Sequence, residues 1–212
     1  MDTKKFFQII SVVLHPIFLP CIIAGLFLFG ANEAPWLDAK ARWSLFTLLS
    51  TISSIMPISC LLVMQRFGVI KDPQMHSRDE RSFALSIMIV ALALICFILL
   101  HKINVSDNMS VAYISITFTL FVTTIANFIE RISLHSMGVS GFIGICLYFI
   151  TEQINTPIIL FDAFGLGIIA LGLIITARLY LNAHTPYQVY LGAVIGFLSG
   201  YFGCIGSAYL LF

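Results

Sequence analysis

Three polar segments interrupt an otherwise apolar chain, and each carries basic residues beside a serine or a histidine. From the N-terminus they contribute Lys71, Arg78 and Arg81, then Ser133 and His135, then Arg178, His184 and Gln188. Phosphoryl transfer needs fixed cations and hydrogen-bond donors, because the transferring group spreads negative charge over its equatorial oxygens. Imidazole can act near pH 7 as a nucleophile or as a proton donor. The residue types therefore indicate a site that binds a phosphate ester and transfers its phosphoryl group.

The basic residues have distinct roles in such a site. Lys71 supplies a point charge, whereas Arg78 and Arg178 can each bind two phosphate oxygens through a planar guanidinium. Arg81 lies about one helical turn after Arg78, so either of these two arginines fits as the partner of Lys71. The hydroxyl of Ser133 and nearby backbone N–H groups complete the predicted phosphate-binding set.

The composition places these segments in a membrane protein. Hydrophobic residues make up 59% of the 212 residues and charged residues only 10%, against roughly 45–50% and about 25% in soluble domains. A soluble core of this size cannot bury so much apolar surface. Disorder, nucleic-acid binding and a disulfide-rich secreted scaffold are excluded as well. The five cysteines each lie inside a long apolar stretch and are interpreted as packing residues.

A helix needs about 20 residues to cross the hydrocarbon core of a membrane. Apolar runs of about this length predict an all-α polytopic bundle of about seven transmembrane helices. The runs cover roughly residues 6–30, 43–65, 82–100, 111–129, 138–151, 158–176 and 189–211. Pro16, Pro20 and Pro57 fall inside the first two helices, which they should kink but need not break. Glycines recur every three or four residues along the last run and predict the close approach of another helix.

Seven spans place the connections alternately on two faces of the membrane, and the three polar segments fall on the same face. Eight of the eleven basic residues lie there. The positive-inside rule alone explains such a bias, because it keeps basic loops in the cytoplasm. A shared anion site explains it differently, since ionisable groups pressed against membrane helices are costly and tend to mark function. Without the four basic site residues, four basic residues remain on this face and three on the other. The charge count therefore leaves open which side of the membrane the site faces.

The spacing within the segments resembles that of a known enzyme family. Six residues separate Lys71 from Arg78, one residue separates Ser133 from His135, and five residues separate Arg178 from His184. In this order the segments resemble the three signatures of the type 2 phosphatidic acid phosphatase (PAP2) superfamily, over about residues 66–200. Departures from the family's prolines, glycine, serine and aspartate occur at Asp79, Ile132, Leu134, Ala177 and Gln188.

The resemblance implies a PAP2-like helical core over residues 66–212, preceded by two transmembrane helices in residues 1–65, within a single integral membrane domain. It implies that His184 attacks phosphorus to form a phosphohistidine, that His135 is the general acid, and that no metal or cofactor takes part. Gln188 stands where the family has a carboxylate. Its side-chain carbonyl can accept the Nδ1–H bond of His184, but it brings no negative charge.

The function expected from the resemblance is hydrolysis of a lipid phosphate monoester or a lipid diphosphate by a metal-independent phosphoric ester hydrolase. We expect a multi-pass protein of a bacterial inner (cell) membrane, with a lipid phosphate and the bilayer as partners and no nucleic acid. A lipid phosphotransferase and a non-catalytic lipid-binding or scaffold protein of the same fold are the alternatives.

The other three histidines are assigned no catalytic role. His15 is interpreted as a buried structural residue and His76 as a solvated loop residue, and His101 lies on the opposite face.

Overall fold

The computed structural model describes residues 2–70, 77–103, 105–152 and 156–211. Within these residues, seven long helices follow one another: α1 (Thr3–Gly30), α2 (Ala39–Arg66), α3 (Arg78–His101), α4 (Asp107–Ile129), α5 (Leu134–Glu152), α6 (Ile158–Tyr180) and α7 (Pro186–Leu211). The structure is 84% helical and has no strand among the described residues. All seven helices are long and apolar enough to span a membrane. The predicted all-α polytopic helix bundle is confirmed.

The fifth helix is longer than its apolar run. The run covers residues 138–151, whereas α5 begins at Leu134. The side chain of Ser133 accepts a 3.4 Å hydrogen bond from the backbone N–H of Ser136 at the start of this helix. Polar residues in a first turn shorten an apolar run but suit a helix N-terminus, whose backbone N–H groups need acceptors. His135 therefore lies inside α5.

Pro16 interrupts α1, which is a stronger effect than the kink expected from the sequence. His15 is extended, with φ −68° and ψ 130°, and a 3₁₀ turn over Pro16–Phe18 leads into the second half of the helix. Proline lacks the N–H that would continue the helix and restricts the preceding residue to extended conformations. In α2 a wider π turn over Thr51–Ile55 precedes Pro57, and the helix continues through it.

The core is built around α5, whose apolar stretch is 61% buried. It packs on α7 and α6. On α7, Gly196 lies against the backbone carbonyl of Met137 and Gly200 against that of Gly141, where any side chain would collide with backbone. The hydroxyl of Ser115 in α4 donates to the Gly200 carbonyl at 2.7 Å. The glycines thus allow α4, α5 and α7 to approach closely, as predicted from their spacing.

The start of α3, the α4–α5 and α6–α7 connections and the N-terminal part of α1 meet at one end of the bundle. Tyr180, the last residue of α6, stacks against Phe7 of α1 with ring centroids 4.6 Å apart. The α6–α7 connection turns at Asn182, whose φ of +50° is a left-handed conformation that asparagine tolerates. The short α4–α5 connection is tied to α7, because the backbone N–H of Ser133 donates to the carbonyl of Gln188 at 3.2 Å. The second and third polar segments of the sequence therefore converge here.

Candidate functional site

Three arginine side chains gather at this end and form what is called here the arginine cluster. Arg81 lies in the first turn of α3, Arg131 in the α4–α5 connection and Arg178 in the last turn of α6. Arg131 and Arg178 are close enough for their charges to act on Arg81, and Arg131 acts on Arg178. The Nε atom of each is buried without a hydrogen-bond partner among the described residues. Neighbouring like charges with unused donors favour the binding of an anion.

Of the two arginines proposed for the first segment, Arg81 lies in the cluster. It is only 5% exposed, and its Nη2 donates a hydrogen bond to the backbone carbonyl of Ile132. This bond ties the start of α3 to the α4–α5 connection. Arg78 begins α3, but its side chain lies outside the described part of the structure, as does the whole of Lys71. The roles predicted for Arg78 and Lys71 stay predictions.

A chain of hydrogen bonds links a carboxylate to His184 in the α6–α7 connection. Nδ1 of His184 is 3.3 Å from Oε1 of Gln188, in the first turn of α7. The same oxygen accepts a 3.2 Å bond from the backbone N–H of Thr185. The amide Nε2 of Gln188 donates at 2.9 Å to Oε1 of Glu130, which also accepts the backbone N–H of Arg131 at 2.9 Å. The chain of hydrogen bonds thus runs from the carboxylate of Glu130 through the amide of Gln188 to the imidazole of His184.

These bonds determine which nitrogen of His184 carries the proton. An ionised carboxylate only accepts hydrogen bonds, so the amide nitrogen of Gln188 faces Glu130 and its carbonyl oxygen faces His184. A carbonyl oxygen also only accepts, and Nδ1 of His184 must therefore donate. Nε2 keeps its lone pair, which is the form that a nucleophilic imidazole needs.

The surroundings of His184 keep its imidazole neutral. Its pKa is lowered to about 4, first by burial and then by the positive charge of Arg178; the charges of Arg81 and Arg131 contribute less. The hydrogen bond to Gln188 acts in the opposite direction, because it stabilises the protonated ring. Since this pKa lies well below neutrality, Nε2 of His184 is unprotonated at pH 7.

The second predicted histidine lies at the same end of the bundle. Nε2 of His135, in the first turn of α5, is 3.1 Å from the backbone carbonyl of Ser11 in α1. Because that carbonyl accepts, Nε2 carries a proton and Nδ1 is the nitrogen available for proton exchange. His135 is close enough to Arg178 and His184 to interact electrostatically with both. The structure thus brings together His135, His184, Gln188 and Arg178.

His15 differs from the buried structural residue that the sequence suggested. One nitrogen is satisfied as expected, since Nδ1 accepts the backbone N–H of Ile17 at 3.2 Å. The residue is nevertheless exposed, and its ring packs edge-on against His135 with centroids 4.9 Å apart and planes at 82°. The break at Pro16 places this ring at the site, although His15 belongs to the first helix.

Ser133 serves the local structure at the start of α5. It is fully buried, and its hydroxyl accepts the backbone N–H of Ser136. Its carbonyl accepts the hydroxyl of Ser136 and the backbone N–H of Met137. Together with its own N–H bond to Gln188, these contacts hold the first turns of α5 and α7 in register. Its predicted contact with phosphate stays a prediction.

Sequence reasoning missed Glu130 and Arg131 as members of the site. Neither forms part of the spacing pattern that joins the three polar segments. The signal that could have found them is position: they are two adjacent charges directly after the apolar run 111–129. Charged groups held at a helix end between polar segments are candidates for the same site.

Comparisons of the chain with family models, with curated proteins and with solved structures find no match. The resemblance to PAP2 enzymes therefore rests on the residues of the three polar segments. The geometry of the arginine cluster and of the two histidines is the basis for assigning a function.

Proposed function

We propose that the protein is a membrane lipid phosphatase of the PAP2 type, which hydrolyses a lipid phosphate monoester or the terminal phosphate of a lipid diphosphate. The observation that carries the proposal is the contact of Nδ1 of His184 with the carbonyl of Gln188, which leaves Nε2 as the basic nitrogen of the ring, near the charge of Arg178. A nucleophile beside a cluster of cations suits attack on a dianionic phosphate, because the cations stabilise the charge on the phosphoryl oxygens.

In the proposed reaction the phosphate oxygens bind to Arg81, Arg131 and Arg178. The lone pair on Nε2 of His184 forms a bond to phosphorus, and the bond from phosphorus to the lipid oxygen breaks. Binding of the phosphate brings a second proton to Nδ1 of His135, because the negative charge of the substrate stabilises the imidazolium, and His135 then gives this proton to the departing alkoxide or lipid monophosphate. Attack makes the imidazole of His184 cationic, and the carbonyl of Gln188, polarised by Glu130, stabilises it.

The second half-reaction consumes one water molecule. Nδ1 of His135 takes a proton from water, the hydroxide oxygen bonds to phosphorus, and the P–N bond to His184 breaks. Inorganic phosphate leaves, and both histidines return to their starting forms. A lipid phosphotransferase differs only in using a lipid hydroxyl in place of water.

One observation favours a non-catalytic lipid-phosphate-binding protein as the second candidate. The direct partner of His184 is an amide and not a carboxylate, so the cationic intermediate receives less stabilisation than in a triad with aspartate. The arginine cluster would still bind the phosphate group of a lipid in such a protein.

Phosphate release from dodecyl phosphate and from phosphatidic acid by the purified protein in detergent tests the proposal. We expect His184→Ala to abolish release and His101→Ala, an exposed residue at the opposite end of α3, to leave it unchanged. Acid-labile label on His184 after quenching with ³²P-labelled dodecyl phosphate would identify the intermediate. Binding without release would favour the non-catalytic candidate, and equal release by His184→Ala and the parent would overturn the assignment of the nucleophile.

A further inference from the structure

An apolar pocket of about 100 Å³ lies between α1, α3, α4 and α5, directly beside the site. It is partly open, and its polar lining residues are His15, Thr119 and Thr123. His15 connects the pocket to the site, because its ring also packs on His135. The pocket therefore adjoins the proposed general acid, His135, through one shared neighbour, His15.

The pocket residues of two helices form stripes that begin at the site. On α3, Arg81 is followed at intervals of four, three and four residues by the pocket residues Leu85, Met88 and Leu92. On α5, the same intervals separate the pocket residues Leu134, Gly138, Gly141 and Ile145. Residues spaced in this way share one face of a helix. Each stripe thus runs from the charged end of the bundle into the apolar interior.

The depth of the pocket matches one leaflet of a bilayer. From Leu134 to Ile145 the helix rises about 16 Å, at 1.5 Å per residue. The hydrocarbon core of a membrane is about 30 Å thick, so the pocket extends through about half of it. A lipid whose phosphate lies at the arginine cluster would have its chain at this depth and in this direction.

We infer that the pocket binds one hydrocarbon chain of the lipid whose phosphate is held by the arginine cluster. The inference rests on the proposed function for the position of the phosphate. Its position beside the site, its apolar lining and its depth of one leaflet together identify the occupant as a lipid chain. His15 lies at the junction, where the polar linkage of the lipid meets its chain. The protein thereby selects long-chain phosphate esters over short, water-soluble ones.

Tryptophan substitutions on one helix test this inference. Met88→Trp fills the pocket, whereas Val90→Trp adds the same bulk two residues later, at a side chain that is 67% exposed. We expect Met88→Trp to lower kcat/KM for hexadecyl phosphate at least tenfold, because displacing about two methylenes costs roughly that factor. Butyl phosphate should be hydrolysed as by the parent, and Val90→Trp should change neither substrate. Equal losses for both substrates, or equal losses in both variants, would overturn the inference.

A photolabelling experiment on the unmodified protein does not depend on hydrolysis. Hexadecyl phosphate with a diazirine at the middle of its chain would be irradiated with the protein in phosphatidylcholine vesicles, and the labelled peptides identified by mass spectrometry. We expect label on Leu92, Ile116 or Ile145, reduced by excess unlabelled hexadecyl phosphate. Label confined to exposed residues such as Val90 and Phe121 would overturn the pocket assignment. Absence of phosphate release in the first experiment would count against the proposed function alone, since this labelling decides the pocket separately.

Discussion

The carboxylate of Glu130 accepts a 2.9 Å hydrogen bond from the side-chain amide of Gln188, 58 positions later in the chain, and the carbonyl of the same amide faces His184. The negative charge therefore lies on Glu130, which holds Gln188, whereas Gln188 itself, the partner of the imidazole, is neutral. An amide polarised by a carboxylate is a stronger acceptor than an isolated one, because hydrogen bonds in a chain reinforce one another. This arrangement lets a glutamine orient His184 where the PAP2 resemblance implies a carboxylate.

Exchanging the two side chains tests this relationship. Gln188→Glu alone places two carboxylates in contact and removes the amide donor, so we expect lower phosphate release than in the parent. The double variant Glu130→Gln/Gln188→Glu restores one donor and puts the carboxylate next to His184, and should recover the loss. The expected coupling between the two positions is about 0.5–3 kcal/mol in a double-mutant cycle. Gln65→Glu, at the exposed end of α2, is the control.

Gln188→Ala removes the acceptor and leaves His184 free to change tautomer. We expect turnover to fall, but by less than the about 10⁴-fold loss that follows when a triad histidine is held in the wrong tautomer. Activity equal to the parent in Gln188→Ala, measured as phosphate release, would show that Gln188 does not orient the nucleophile.

The lowered pKa of His184 predicts the pH at which its nucleophilic form is lost. Nε2 is reactive only when unprotonated, so reactivity is present above the pKa of about 4 and disappears as the pH falls through it. The rate of modification of His184 by diethyl pyrocarbonate, followed by peptide mass spectrometry from pH 3.5 to 8, measures this midpoint. A midpoint near the ordinary histidine pKa of about 6.5 would contradict the prediction.

Removing one neighbouring charge should move that midpoint upward. Arg178 is the charged group that most strongly lowers the pKa of His184, so Arg178→Gln should raise it. Arg66→Gln, at the exposed C-terminal end of α2, should leave the midpoint unchanged. An equal shift in both variants would mean that net charge and not the local contact sets the pKa.

Variants of His15 separate its two contacts. His15→Asn keeps an acceptor for the N–H of Ile17 but loses the ring that packs on His135. We expect it to retain thermal stability and to lose up to about tenfold in turnover, since such ring contacts are worth about 0.5–1.5 kcal/mol. His15→Phe keeps a ring and loses the acceptor, so it should show the opposite pattern. Full turnover in His15→Asn would show that the ring contact does not position His135.

The sequence predicted the number and order of the helices because each membrane span needs a long apolar run, which is a local property. It did not predict the break before Pro16, since membrane helices tolerate proline with or without a break and the outcome depends on neighbouring helices. That break is what brings His15 to His135.

The same distinction applies to the site. His184 and Gln188 are four residues apart, and their contact could be anticipated from spacing alone. The contact between Glu130 and Gln188 joins the α4–α5 connection to α7, and no local pattern reports such a pairing. The choice between Arg78 and Arg81 was likewise open in the sequence, because both lie in the first turn of one helix, and tertiary contacts place Arg81 in the cluster.

The glycines of α7 predict how sharply its packing limits substitution. A side chain at Gly200 would collide with the backbone of Gly141 in α5, whereas nothing lies within 4 Å of one at Gly206. Because backbone atoms cannot move as a flexible side chain can, we expect Gly200→Ala to destabilise the protein by about 1–3 kcal/mol, the usual cost of overpacking. Gly206→Ala should be neutral or stabilising by up to about 1 kcal/mol, since a helix interior favours alanine over glycine.

Thermal unfolding of both variants in the same detergent measures the difference. Phosphate release should fall with stability only in Gly200→Ala, because the α5–α7 contact also holds His135 and His184 in register. Similar melting temperatures for the two variants would mean that α5 and α7 are not packed as closely as described.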